Sequence, residues 1–201
     1  DMTVGTMDAA LANTGTLTIK TGFALTGSNA GTITAEASKG TLTDFTNNGT
    51  ASFGKTTATG LANNGTITFA DATLEGANNN TKDMSADILN VKGSLTTTGT
   101  LTAGNLTTKT LEQSGTLRVT KTLTADNATL SGKATIDGLL DVDVLTQKSG
   151  ELVAQNVDAT EVSLSGKADV GTLASDTLTV SGSLEADEVT TSTYEQTAGS
   201  A

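Results

Sequence analysis

Apolar side chains recur two and four residues after a glycine, coil after coil along this chain. The anchoring glycines are Gly15, Gly31, Gly49, Gly65, Gly99, Gly115, Gly132, Gly150, Gly166, Gly182 and Gly199, with steps of 16, 18, 16, 34, 16, 17, 18, 16, 16 and 17 residues. The step of 34 holds two periods. Its midpoint falls near Lys82, where "KDMSA" keeps the pattern without the glycine. Eleven periods cover 184 residues, a mean of about 16.7. A fixed period of this size is the mark of a repeat architecture.

The columns define the elements. Two residues after the anchor stand Leu17, Ile33, Ala51, Ile67, Met84, Leu101, Leu117, Ala134, Leu152, Ala168 and Leu184. Four after it stand Ile19, Ala35, Phe53, Phe69, Ala86, Ala103, Val119, Ile136, Ala154, Val170 and Ala186. Alternation of this kind is a strand with one face inward. A second column near the seventh or eighth residue contains Phe23, Leu89, Leu106, Leu123, Leu139, Val157, Leu173 and Val189. A third, about four residues before the next anchor, contains Leu11, Phe45, Leu61, Leu95, Leu111, Val162 and Leu178, with Tyr194 close by. Three short inward-facing strands per period predict an all-β fold, a single-stranded right-handed parallel β-helix of about eleven coils of 16–18 residues. The left-handed alternative places an aliphatic residue at every sixth position, which this chain does not do.

One such coil cannot bury its inward face alone; stacking coils pairs each strand with those above and below. The whole chain, 1–201, then reads as one β-solenoid segment. Residues 1–12 read as a partial coil or a cap. Residues 70–98 are the least regular, and "EGANNNTKD" is expected to bulge as a loop. Residue 201 falls inside the repeat, so further coils are expected beyond it. An uncapped terminal coil exposes unpaired backbone groups, which leads us to expect end-to-end self-association.

Asparagine dominates the early turns (Asn13, Asn47, Asn48, Asn63, Asn64, and Asn78 to Asn80), and serine the later ones (Ser114, Ser131, Ser149, Ser165, Ser181). Asn and Gly tolerate left-handed backbone angles, Asn and Ser bond local backbone groups, and stacked Asn side chains can bond one another. Both columns read as structural.

Composition agrees with a thin core. Hydrophobic residues are 35% of the chain, with four Phe, one Tyr and no Trp. About a fifth of the residues are threonine, which suits a pleated, half-exposed surface. Proline is absent, so no ladder lacks a donor on its account. The net charge is −11, and no basic stripe exists to release counterions from a phosphate backbone, so no nucleic-acid partner is expected. With no His or Cys, an imidazole base, a Ser-His triad and the usual zinc ligand sets are excluded. No cofactor is expected.

Carboxylates remain the only candidate chemistry. Asp137, Asp141 and Asp143 lie in "IDGLLDVDV", and Glu185, Asp187 and Glu188 in "LEADEV". Alternation points Asp141, Asp143 and Glu185 outward. Some β-helix enzymes that cleave acidic polysaccharides use Asp clusters, but they add basic residues to hold substrate, and this chain has a single arginine, Arg118. A solvated acidic face is expected, with no catalytic, cofactor or metal residues, and the chain is not expected to be an enzyme.

The segments "NTGTLTI", "NNGTITF", "LEQSGTLRV" and "YEQTAGSA" resemble coils of bacterial type V secreted passengers, the autotransporter and filamentous-adhesin group. The resemblance spans residues 11–201. It implies a right-handed β-helix outside the cell, at the bacterial outer-membrane surface, acting in adhesion or as a stalk, with a host or bacterial surface glycan or protein as partner. The coils are shorter than is usual in that group, and no membrane-embedded barrel is present in these residues. Bactofilins, cytoskeletal β-helices of similar coil length that polymerise end to end, are the second reading. A polysaccharide-degrading β-helix is the third.

Overall fold

The computed structural model describes residues 1–198. Gly199, the last anchor of the period, and the "GSA" expected to open another coil lie outside the described residues. Fourteen strands, from Met2–Asn13 to Ser183–Gln196, take up 85% of the described residues, with no helix among them. Every strand pairing is parallel, and the strands stack in chain order into a β-solenoid of about eleven turns. Leu117, for example, is in register with Leu101 on one side and Ala134 on the other. Parallel strands normally need a long crossover; here the coil itself is the crossover.

The predicted inward columns are the core. All eleven residues at the second position are buried, and so are all at the fourth except Ala186, which is partly buried. Three places in the other columns differ, the first being Leu11, which is only partly buried in the strand Met2–Asn13. Leu139 is only half-buried, and Leu140 takes the inward place beside Leu123 and Val157. A shift of register between Ile136 and Leu139 moves the pleat by one residue. Val189 and Tyr194 are 42% and 48% exposed, because among the described residues the strand Ser183–Gln196 has a neighbour on one side only. One column escaped the sequence reading altogether: Leu25, Leu42, Ala58, Leu74, Val91, Ala125, Val142 and Ala159 are buried too.

All four phenylalanines share one cluster. The Phe53 ring lies 5.0 Å from Phe23, 5.9 Å from Phe69 and 6.3 Å edge-on from Phe45. Phe23 and Phe53 are two coils apart, and they meet because Gly40 is the residue paired with Phe23 in the coil between. A Cβ at position 40 would run into the Phe23 ring. Small residues thus make room for rings in a core too narrow for a large side chain at every level.

The sequence "EGANNNTKD" is not a loop. After a turn at Gly76 (φ +72°), Ala77–Asn80 forms a strand between Ala62–Asn63 and the strand Asp83–Thr97, with Asn78 and Asn80 buried. Hydrogen bonding won over composition. The three asparagines alternate in and out like any strand, and the inward ones find amide partners instead of apolar ones.

Those partners form the most distinctive feature of the interior. Asn13 donates from Nδ2 to Asn29 Oδ1 (2.7 Å), Asn29 to Asn47 (2.8 Å), Asn47 to Asn63 (2.8 Å) and Asn63 to Asn80 (2.8 Å), and Asn80 donates to the Thr97 hydroxyl (3.0 Å). Every amide points the same way along the axis, an arrangement in which neighbouring bonds polarise and strengthen one another. Asn29, Asn47, Asn63 and Asn80 are fully buried. None of them takes a left-handed angle; Asp44 is the only such non-glycine among the described residues. The asparagines therefore serve the core, and the left-handed reading of them is corrected.

In later coils the same column holds Gln113, Leu130, Gln147, Leu164 and Val180, all buried. Gln147 Nε2 reaches Gly150 O (3.4 Å) and Lys167 O (2.8 Å), and Gln113 Nε2 reaches Gly115 O and Lys133 O. Their Oε1 atoms meet no donor among the described residues, because Thr97 and Leu130 stand in the preceding coil where an asparagine would offer its NH2. Ser114, Ser131, Ser165 and Ser181 occupy the next position along, with their backbone N–H groups bonded to the coil before, as in Ser131 N to Gln113 O (2.7 Å); after Gln147 that place falls to Lys148.

The inward and outward assignment has a direct check. Leu117 is fully buried, while Thr116 beside it is exposed. Leu117→Ala is expected to cost about 2–5 kcal/mol, and Thr116→Ala to leave the urea midpoint almost unmoved.

Candidate functional site: an acidic face

Asp141 and Asp143 are exposed on the same side of the strand Lys133–Gln147, as alternation required. Stacking adds two carboxylates from neighbouring coils, Asp158 from Glu151–Leu164 and Asp176 from Lys167–Val180. With Thr160, Ser175 and the run Thr190 to Ser192 they line an open concavity of about 500 Å³. Asp158 and Asp176 were absent from the sequence reading. The signal was present, since Asp158 lies one period beyond Asp141, and Asp176 two periods beyond Asp143.

Asp141 and Asp158 are direct cross-strand partners, a placement in which like charges repel. Elsewhere some stacked charges alternate in sign, although Lys39 faces Lys55 and Asp169 faces Glu185. Glu151 lies between Lys133 (3.3 Å) and Lys167 (3.8 Å), and Lys92 meets Glu75 at 2.8 Å. No basic side chain lines the concavity. Asp137 does not join it; its carboxylate is paired with the Arg118 guanidinium in the coil before. Glu185, Asp187 and Glu188 are exposed on the strand Ser183–Gln196.

The geometry is that of a negatively charged, hydroxyl-rich shelf open to solvent. Its field favours cationic groups, weakly, because exposed charges are screened within about 8–10 Å at ordinary salt. No group of three or more acidic side chains among the described residues is arranged to hold a metal ion. No hydroxyl here has an imidazole to activate it, since the chain has no His.

Fold and face together define a β-solenoid rod with one acidic side. The chain matches no protein-family model, no curated protein and no solved structure.

Proposed function

We propose that this rod is a structural or adhesive passenger segment of a bacterial cell-surface or secreted protein. The observation that carries the reading is the continuity of the stack: coil follows coil from Met2 to Gln196, and between them the side chains that leave the core form ladders along the outside. Such a rod, on the order of 50 Å long at ~4.8 Å per coil, separates whatever lies at its two ends and presents Thr and acidic ladders to its surroundings, the main asparagine ladder being inside. The segments that resemble type V passengers support the same placement outside the cell, with a surface glycan or protein as the partner of the ladders.

An acidic polysaccharide would meet like charge over the shelf of Asp141, Asp143, Asp158 and Asp176, so we assign that shelf to display and not to cleavage. Antibody labelling of the bacterium that makes the protein tests the reading. Label on intact cells is expected. Label only after permeabilisation would overturn it and select the cytoskeletal alternative.

A further inference from the structure

We propose that one side wall of this rod is a self-complementary interface, on which a second copy of the chain lies antiparallel and side by side. Lys39 and Lys55 are exposed on that wall and directly opposed in register, in the strands Thr32–Asn47 and Thr50–Thr59. Asp141 and Asp158 are exposed and directly opposed on the same wall, in Lys133–Gln147 and Glu151–Leu164. Their column continues through the intervening coils to Thr57 and Thr41, two residues beyond Lys55 and Lys39 on the same strand face. Among the described residues neither lysine makes an ion pair, and neither aspartate does. One wall thus carries two stacked pairs of opposite sign, each placed where like charges repel and each without an ion-pair partner in its own chain.

What fits the wall is fixed by where these pairs stand. Between them the stack holds Thr66–Glu75 and Asp83–Thr97, then Thr100–Gln113 and Thr116–Leu130, so the midpoint lies between Asp83–Thr97 and Thr100–Gln113. A twofold axis there, running along the strands, turns the second rod end for end. It sets Lys39 beside Asp158 of the partner copy and Lys55 beside its Asp141, one column across. That step is ~6.6 Å, within reach of a lysine side chain. Ile88 marks the same place. It is 49% exposed, the only large apolar side chain among the described residues so exposed outside the strands Met2–Asn13 and Ser183–Gln196. It lies on the lysine column, in the strand next to the axis, where the two copies bring their Ile88 side chains together. Parallel rods would instead set each charged pair against its own kind. A contact of one patch with itself closes as a dimer. From lysines to aspartates the wall is eight coils long, about 40 Å by about 20 Å, which matches the ~800 Å² per partner of a specific interface. Neither end of the chain takes part.

Sedimentation of the full chain at ~0.1 M salt is the test. There the Debye length is about 10 Å, so the net charge of −11 is screened along most of the rod while touching charges still attract. A dimer is expected, and its dissociation constant should rise at ~1 M salt, where the Debye length falls to about 3 Å. Lys39→Glu with Lys55→Glu should weaken the dimer by about tenfold or more, because each copy then meets its own kind. Asp141→Lys with Asp158→Lys should do the same. Mixed in equal amounts, these two variants should pair with each other, since every reversed charge then faces its opposite. Ile88→Asp should also weaken the dimer, by placing two carboxylates at the axis. Lys82→Glu with Lys148→Glu changes the net charge as much as the first variant, at exposed turn positions off the wall, and should leave the dimer intact. All these positions are exposed, so each variant should keep the parent's far-ultraviolet circular dichroism. A chain that is monomeric at every concentration in ~0.1 M salt, a reversed variant that dimerises as tightly as the parent, a mixture of the two that stays monomeric, or loss of the dimer in the turn variant would each overturn the proposal.

Discussion

Asn63→Asp is expected to destabilise the rod by about 4 kcal/mol or more at neutral pH, an effect in the range reserved for an unpaired charge in a core. The substitution changes almost no volume. It replaces an NH2 that donates to Asn80 Oδ1 (2.8 Å), Gly65 O (3.0 Å) and Asp83 O (2.9 Å) with an oxygen facing three oxygens. Either a carboxylate is buried without a donor on that side, or a proton is taken up and serves one acceptor of the three. Burial with acceptors on that side raises the pKa of the new carboxyl above its unfolded value. The folded state then binds the extra proton first, so the deficit should shrink as pH falls from neutral toward the unfolded carboxyl pKa of about 4. Asn64→Asp is the control, because the Asn64 side chain is exposed and bonds to Asn48 and Thr81 along the surface. Equal urea midpoints for the two variants would refute an inward amide ladder.

Gly115→Ala is the second large effect, expected to cost about 4 kcal/mol or more. A Cβ there would run into the carbonyl oxygens of Gly99 and Thr98 in the preceding coil. Both are backbone, so no flexible side chain can give way. Relief requires the turn to lift, which breaks Ser114 N to Thr97 O (2.9 Å) and Thr116 N to Gly99 O (3.0 Å). The same collision awaits a Cβ at Gly49, Gly65, Gly132 and Gly182. At Gly15 nothing lies within 4 Å, so Gly15→Ala should be nearly silent. Thermal unfolding of the pair decides it: coincident midpoints would mean that glycine recurs for some other reason.

That contrast also shows what the chain's letters could and could not convey. The period and the columns at the second and fourth positions were legible, because Leu117 and Val119 alternate with Thr116 and Arg118 over the opening stretch of the strand. The reason for the recurring glycine was not. Its turn chemistry suggested left-handed angles, yet among the described anchors only Gly150 has one (φ +77°), and the requirement is the close approach of one turn to the next. Asn63 and Asn64 are adjacent and chemically identical, and only the pleat separates them, one inside and one out. A column shared by Asn47, Asn63, Leu130, Leu164 and Val180 was the available sign that the position faces inward. On the acidic face, alternation placed Asp141 and Asp143 outward. Asp158 and Asp176 join them only once the coil length is added, since the neighbourhood is made by stacking and not by adjacency.

Coil length itself varies from 16 to 18 residues, and the rod stores that variation in few places. Five of the seven register shifts among the described residues fall at one corner, just after the fourth-position strand ends: at Val4, Thr18, Ala35, Val119 and Ile136. Insertions and deletions of a residue or two at that corner are absorbed as a wider or narrower bend. A one-residue insertion between Gly115 and Val119 would turn every following side chain of the strand to the opposite face. Over evolutionary time such a rod can drift in the length of each repeat at its corner and in the number of repeats as whole coils, while the strand that opens each coil keeps its spelling.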